Sequence, residues 1–236
     1  MNKVMIDPGH HFSNKNKGQT GYYEYLGVWI ISIILQSMLR TLGLQADLTR
    51  QWDEDPDLRV RGIQAQEYDL FISEHTNAFN GTVRGVEVFY DFEKEYDKAN
   101  AAKLSKAVST VMGNPDRGAK VRTYTDEDLK LTDDVLNYYG VIRNAAKTNC
   151  RHIFLIESGY HDNPEDEAFL KEYSNLRRIA LAQAFVICEI LEIKIDHKDL
   201  LQKLTGIDDN TSQYLEFYRY GGPLKEKLIK PMINQI

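Results

Sequence analysis

Met5-Ile6-Asp7-Pro8-Gly9-His10-His11 is a short apolar run that ends in an acid, a turn dipeptide and imidazole. As a β-strand with Val4 and Ile6 on its buried side, it delivers His10 to the carboxyl edge of a sheet, where open α/β folds place ligands. Working outward, the pattern recurs twice. Leu70-Phe71-Ile72-Ser73 runs into Glu74-His75-Thr76-Asn77, and Ile153-Phe154-Leu155-Ile156 ends in Glu157-Ser158-Gly159. Packing alone does not require three apolar strands each to stop on a residue able to bind a metal or move a proton.

Between these runs the apolar spacing lengthens to a helical period. Residues 22–42 read as a helix with Leu26, Trp29, Ile30, Ile33, Ile34 and Met38 near helical spacing, closed by Gly43. A short strand follows at 46–49. Asp53-Glu54-Asp55-Pro56-Asp57 reads as a loop capping a helix that starts near Leu58. Further strands are expected at 69–73, 85–90 and 153–157. Helices are expected over 96–112 and 175–193, with another inside 136–148 that turns Val141 and Ile142 inward. The polar stretch 121–136 has no clear period. Strands alternating with helices predict an α/β fold with a twisted, mostly parallel sheet flanked by helices on both faces.

The apolar pattern breaks at 194–198, which divides the chain into a domain over 1–194 and a small helical C-terminal extension over 195–236. The extension carries two weak helical patterns around Gly221-Gly222-Pro223 and is too short for an independent core. Net charge is −6, which excludes a broad basic face for nucleic acid. The apolar stretch 28–35 is too short to span a bilayer, so no stable membrane association is expected. Two cysteines, Cys150 and Cys188, are too few for a disulfide scaffold and read as buried thiols. No basic and apolar leader precedes the first strand, so synthesis in a cytoplasm without a signal peptide is expected.

The strand ends supply the chemistry. A catalytic zinc site takes three N, S or O ligands and keeps one position open for water. His10 and His75 offer two imidazoles, and Glu24, at the expected helix start, is the natural third ligand. Glu157 is then the general base beside that water, and Asp7 is placed to orient a ligating histidine by hydrogen bond. These residues read as a zinc hydrolase.

Six stretches in order make a family resemblance specific: Ile6-Asp7-Pro8-Gly9-His10, Gly21-Tyr22-Tyr23-Glu24, Leu48-Thr49-Arg50 with Asp53, residues 69–78, residues 85–90, and Glu157-Ser158-Gly159-Tyr160-His161-Asp162-Asn163. Over about residues 1–193 the chain resembles the zinc-dependent N-acetylmuramoyl-L-alanine amidases of the Amidase_3 type. The resemblance implies that His10, Glu24 and His75 bind Zn2+ and that Glu157 is the catalytic glutamate. It also implies a cut between the lactyl group of muramic acid and the first alanine of the stem peptide. Asn77 and Arg143 join Asp7 as residues that support the ligands or touch substrate. Arg143 is read either as a partner for a stem-peptide carboxylate or as a solvated helix arginine. Tyr22, Tyr23, Tyr138 and Tyr139 either line the groove or pack.

Three departures from the family pattern bear on groove shape: His11 in place of glycine, Glu74 in place of an apolar residue, and His161-Asp162 in place of an apolar-serine pair. His11 and His161 are read as exposed loop histidines, with substrate contact as the alternative; His152 and His197 are read as incidental. The expected partner is peptidoglycan. The extension is expected to target the wall or to form a homo-oligomer. The expected context is a phage endolysin that acts on the wall after release. The competing readings are a zinc peptidase cutting within the stem peptide and a non-catalytic wall-binding protein with a structural metal.

Overall fold

A computed structural model describes residues 1–14, 16–125 and 135–194. The extension at 195–236, with His197, lies outside the described residues. The apolar runs form β1 (Lys3–Pro8), β3 (Leu70–Asn77) and β8 (His152–Tyr160), and the alternating segment forms β4 (Val86–Tyr90). β2 (Gln45–Leu48) and β5 (Asp116–Lys120) close the edges of a six-stranded sheet of order β2-β1-β3-β8-β4-β5. From β2 to β8 every pairing is parallel. β4 then enters antiparallel to β8, and β5 lies parallel to β4. The central strands are covered on both faces, which is why they are continuous apolar runs rather than alternating ones; all nine residues of β8 are buried.

The two faces differ in thickness. Three long helices, α1 (Glu24–Thr41), α3 (Lys98–Met112) and α6 (Tyr173–Ile190), pack on Val4, Ile6, Leu70, Ile72, Val88 and Phe154. The other face carries Met5, Phe71, Ile153 and Leu155 under the short α2 (Leu58–Ile63) and α4 (Gly140–Ala145), whose Val141 and Ile142 face inward as expected. At about 25 cal/mol per Å² of apolar surface, burying each such aliphatic side chain contributes about 1.5–3 kcal/mol. Asp57 caps α2 by accepting from the Val60 amide at 2.8 Å, and Gly43 closes α1 at φ +86°.

Sequence and structure part in a few places. The buried face of α1 is Val28, Ile31, Leu35, Met38 and Leu39, whereas Leu26 and Ile33 are exposed. The expected Met38 is buried and Ile30 and Ile34 pack against the same core, but the helix is apolar on more than one side, so spacing alone does not fix the stripe. β5 escaped the periodicity because Asp116-Arg117-Gly118-Ala119-Lys120 is a half-exposed, charged edge strand. Within the ambiguous 121–136 stretch, β6 (Thr123–Thr125) pairs antiparallel with β7 (Val135–Asn137). α5 (Pro164–Leu170) was also unforeseen, although Asn163-Pro164 is a helix-start signal: the Asn163 side chain accepts from the Glu165 and Asp166 amides.

Cys150 and Cys188 are both free and buried, as expected. They sit in the cores on opposite sides of the sheet. Burial pushes their thiols up, to about 12 for Cys150 and about 11 for Cys188. Among the described residues no helix is long and apolar enough to cross a membrane.

Candidate metal centre

β1 and β3 bring the two histidines together through backbone register. Pro8 pairs with Glu74, and the Gly9 amide donates to Glu74 O at 3.0 Å. A Cβ on Gly9 would lie 2.5 Å from that oxygen and 2.5 Å from His75 Cε1, so only glycine fits beside the ring. The next residue, His10, adopts φ +54°, a left-handed conformation that a non-glycine residue keeps only where its surroundings enforce it.

The enforcing groups are two guanidinium ions. Arg50 Nε and Arg61 Nη2 donate to Pro8 O at 3.1 and 3.0 Å. Arg61 is in turn gripped by Asp7, with Nε to Oδ1 at 2.7 Å and Nη2 to Oδ2 at 2.8 Å. Ser73 and Thr49 hydroxyls also donate to Asp7, each at 2.6 Å. The expectation that Asp7 hydrogen-bonds a histidine is therefore corrected. It acts on the backbone that carries His10, because its carboxylate points to the α2 side and not along the strand.

Glu24 opens α1, and the loop before it folds back so that the Glu24 amide donates to Asn16 O at 3.0 Å. Its buried carboxylate lies between the rings, with Oε2 3.2 Å from His10 Nε2 and Oε1 3.2 Å from His75 Nδ1. Asn16 Nδ2 and the Thr76 amide donate to it, each at 3.0 Å. Burial by itself raises the Glu24 carboxyl, but hydrogen bonds from His10 and His75 outweigh it and hold the group below the usual carboxylate range. Burial lowers His75, which favours the neutral ring that a cation requires. The three donor atoms lie within 4.8 Å of one another. The Asn14 amide, 2.8 Å from His10 Nδ1, fixes the ring from behind.

Glu157 arrives on β8 as the register partner of His75 on one side and of Glu87 on the other. Its Oε2 is buried without a hydrogen-bond partner among the described residues. Burial, reinforced by the negative charges of Glu24 and Glu87 and opposed by Arg122, pushes the carboxyl well above the usual glutamate range. His10, Glu24, His75, Tyr139, Glu157 and His161 share the walls of one cleft of about 680 Å³, within the range of small-ligand sites.

The remaining sequence expectations divide. Asn77 lines the cleft and donates to Glu87 Oε1 at 2.8 Å. Arg143 does not face it: its Nη1 donates to Asn137 O at 2.7 Å and Tyr138 O at 3.2 Å, tying α4 to the chain before it. Neither His11 nor His161 is an exposed loop residue. Both are buried, His11 beside Asp55 at 3.4 Å and His161 beside Thr76 Oγ1 at 3.0 Å. His152 pairs with buried Asp97 at 2.6 Å, a structural contact. Sequence reasoning passed over Glu87, the register partner of Glu157 and the acceptor of the Asn77 amide. Asn14, Asn16 and the Thr76 amide act through local geometry that no spacing reveals.

Fold and cluster together define a class: open α/β proteins with a possible His/Glu/His metal site at the carboxyl ends of the strands. The chain belongs to the Amidase_3 family, N-acetylmuramoyl-L-alanine amidase, which matches residues 4–189. It is 28% identical over 163 residues to an uncharacterized cell wall amidase of Bacillus anthracis, covering 61% of this chain and 30% of that protein. To the endolysin of Bacillus phage SPP1 it is 27% identical over 201 residues, covering 81% of this chain and 66% of that protein. The chain thus spans less than two thirds of either relative. Among solved structures, the catalytic domain of CwlV, an N-acetylmuramoyl-L-alanine amidase from Bacillus (Paenibacillus) polymyxa, matches with a TM-score of 0.68. The identity there is 26%, over 82% of this chain and 100% of that one.

Proposed function

We propose that the protein hydrolyses the amide bond between the lactyl group of N-acetylmuramic acid and L-alanine in peptidoglycan, using zinc held by His10, Glu24 and His75. The carrying observation is the meeting of three ligand atoms within 4.8 Å of one another and, in the same cleft, a buried Glu157 Oε2 with no hydrogen-bond partner among the described residues. Two imidazoles and a carboxylate suit zinc better than the all-oxygen shells of magnesium or calcium. When bound, zinc supplies Lewis acidity that polarises the scissile carbonyl and lowers the pKa of water.

Glu157 is the proton carrier in this reading. Its unpaired Oε2 is free to accept a proton from the attacking water and to return it to the departing alanine nitrogen. The second transfer needs a carboxyl that holds a proton readily, and burial beside Glu24 and Glu87 favours that state. Asn14, Asn16 and the Thr76 amide keep the ligand side chains in place. Tyr139 and His161 line the same cleft.

Intact cell wall digested with the protein should gain free alanine amino groups without new reducing sugar ends. Fragments cut inside the stem peptide would overturn this reading in favour of a peptidase. The likeness to a phage endolysin supports action on the wall after release from the cell that made the protein. The extension at 195–236 is proposed as a wall-targeting or self-association segment.

A further inference from the structure

Beside the metal cluster lies a continuous group of aromatic rings that the catalytic reading leaves unused. Phe12 follows His10 by two residues, and Tyr23 and Tyr25 flank Glu24 on either side. Trp52, on the loop after β2, joins them: its ring centroid is 6.4 Å from Phe12, 5.7 Å from Tyr25 and 5.6 Å from Trp29. Phe12 is 45% exposed, Trp52 39% and Tyr23 36%. Such a run of open rings is unusual on a soluble surface unless something covers it.

The group is tied to the cluster. Arg50, which donates to Pro8 O and to Gly9 O at 3.1 and 3.4 Å, lies over the Trp29 ring at 5.2 Å. Asp55, on the same loop as Trp52, accepts from Ser13 Oγ at 3.2 Å and faces His11. The carboxylate is 58% exposed and leaves acceptor capacity beside the rings.

Resting on the function proposed above, we infer that Phe12, Trp52 and Tyr25 form a glycan platform that holds sugar rings of the peptidoglycan strand next to the scissile bond. The amide bond in question has a sugar on one side and a peptide on the other. The flat C–H face of a pyranose stacks on an aromatic ring, and an acidic side chain accepts its hydroxyls. The sugar would then lie beside the loops that follow β1 and β2, where Phe12, Trp52 and Asp55 stand.

The test measures binding of a peptide-free GlcNAc–MurNAc tetrasaccharide to the full chain by calorimetry and tryptophan fluorescence. Trp52→Ala and Phe12→Ala should each weaken binding about tenfold, which is about 1.4 kcal/mol, and Trp52→Phe should retain most of it. KM for glycan strands should rise in the same order across the variants. Sugar binding needs no hydrolysis, so this result stands even if the amide-bond reading fails. Amidase activity with sugar binding indifferent to both alanine variants would overturn the platform alone. So would absence of binding by the unmodified protein, or a dimer that Trp52→Ala dissolves, which would assign the rings to self-association. Should Trp52→Ala fail to fold by circular dichroism, the more exposed Phe12 carries the comparison.

Discussion

Glu157 and His75 are register partners across the β3–β8 seam. Their side chains rise from the same face of the sheet, about 4.8 Å apart at the backbone. The acid is thereby fixed relative to the histidine by strand pairing, and no loop has to close to bring them together.

Replacing Glu157 with Gln preserves shape and removes the proton-carrying group. The turnover number should fall about 10²- to 10⁴-fold, the usual contribution of acid–base catalysis. Zinc content, read by atomic absorption, should not change. The melting temperature should hold or rise, because burial disfavours the ionised carboxyl that glutamine replaces. Activity near that of the unmodified protein would remove Glu157 from the reaction.

A chelator such as 1,10-phenanthroline should abolish hydrolysis, and added zinc should restore it. Far-UV circular dichroism should barely change meanwhile, since the strand end carrying His10 is held by Arg50 and Arg61 rather than by a cation. Unfolding on chelation would mark a structural metal instead.

Arg61→Ala leaves Asp7 buried and without its ion-pair partner, a change that typically costs about 3–5 kcal/mol. Denaturant melts should show that loss. The pH dependence follows from the same pair. Burial raises the Asp7 carboxyl, but Arg61, Ser73 and Thr49 outweigh it and hold the group below its ordinary value of 3.8. A depressed acid contributes stability that is fully present above that value and is lost as pH falls through the lower folded value. In the unmodified protein the melting temperature should drop below pH 4, and Arg61→Ala should flatten that slope.

Gly9→Ala pushes a methyl group into His75 Cε1 and Glu74 O. The ring must shift, and zinc affinity should weaken about 10- to 100-fold, as for other changes to groups that orient a ligand. Competition with a fluorescent zinc chelator measures this. Unaltered affinity would mean that the strand end adjusts without moving His75.

His10, Glu24, His75 and Glu157 were legible because each stands where an apolar run stops or a helix starts, and those boundaries survive in sequence. The parallel core was legible for the same reason, since strands buried on both faces leave unbroken apolar runs. Asp7 was read as a group that orients a histidine, whereas its carboxylate holds Arg61, Ser73 and Thr49. Its true partner, Arg61, is 54 residues away on α2, a pairing that only tertiary packing creates. His11 and His161 look like loop residues in sequence, yet neighbouring segments cover them. β5 stayed hidden because an edge strand needs no apolar period.

The placement of Cys150 and Cys188 has a practical consequence. With a whole sheet between the two sulfurs and each thiol reluctant to ionise, oxidation has no short route to a crosslink, and reductants have no native bond to cut. The same covalent molecule should persist in a glutathione-rich interior and in an aerated medium, so purification needs no thiol protectant to keep the chain monodisperse in its bonding.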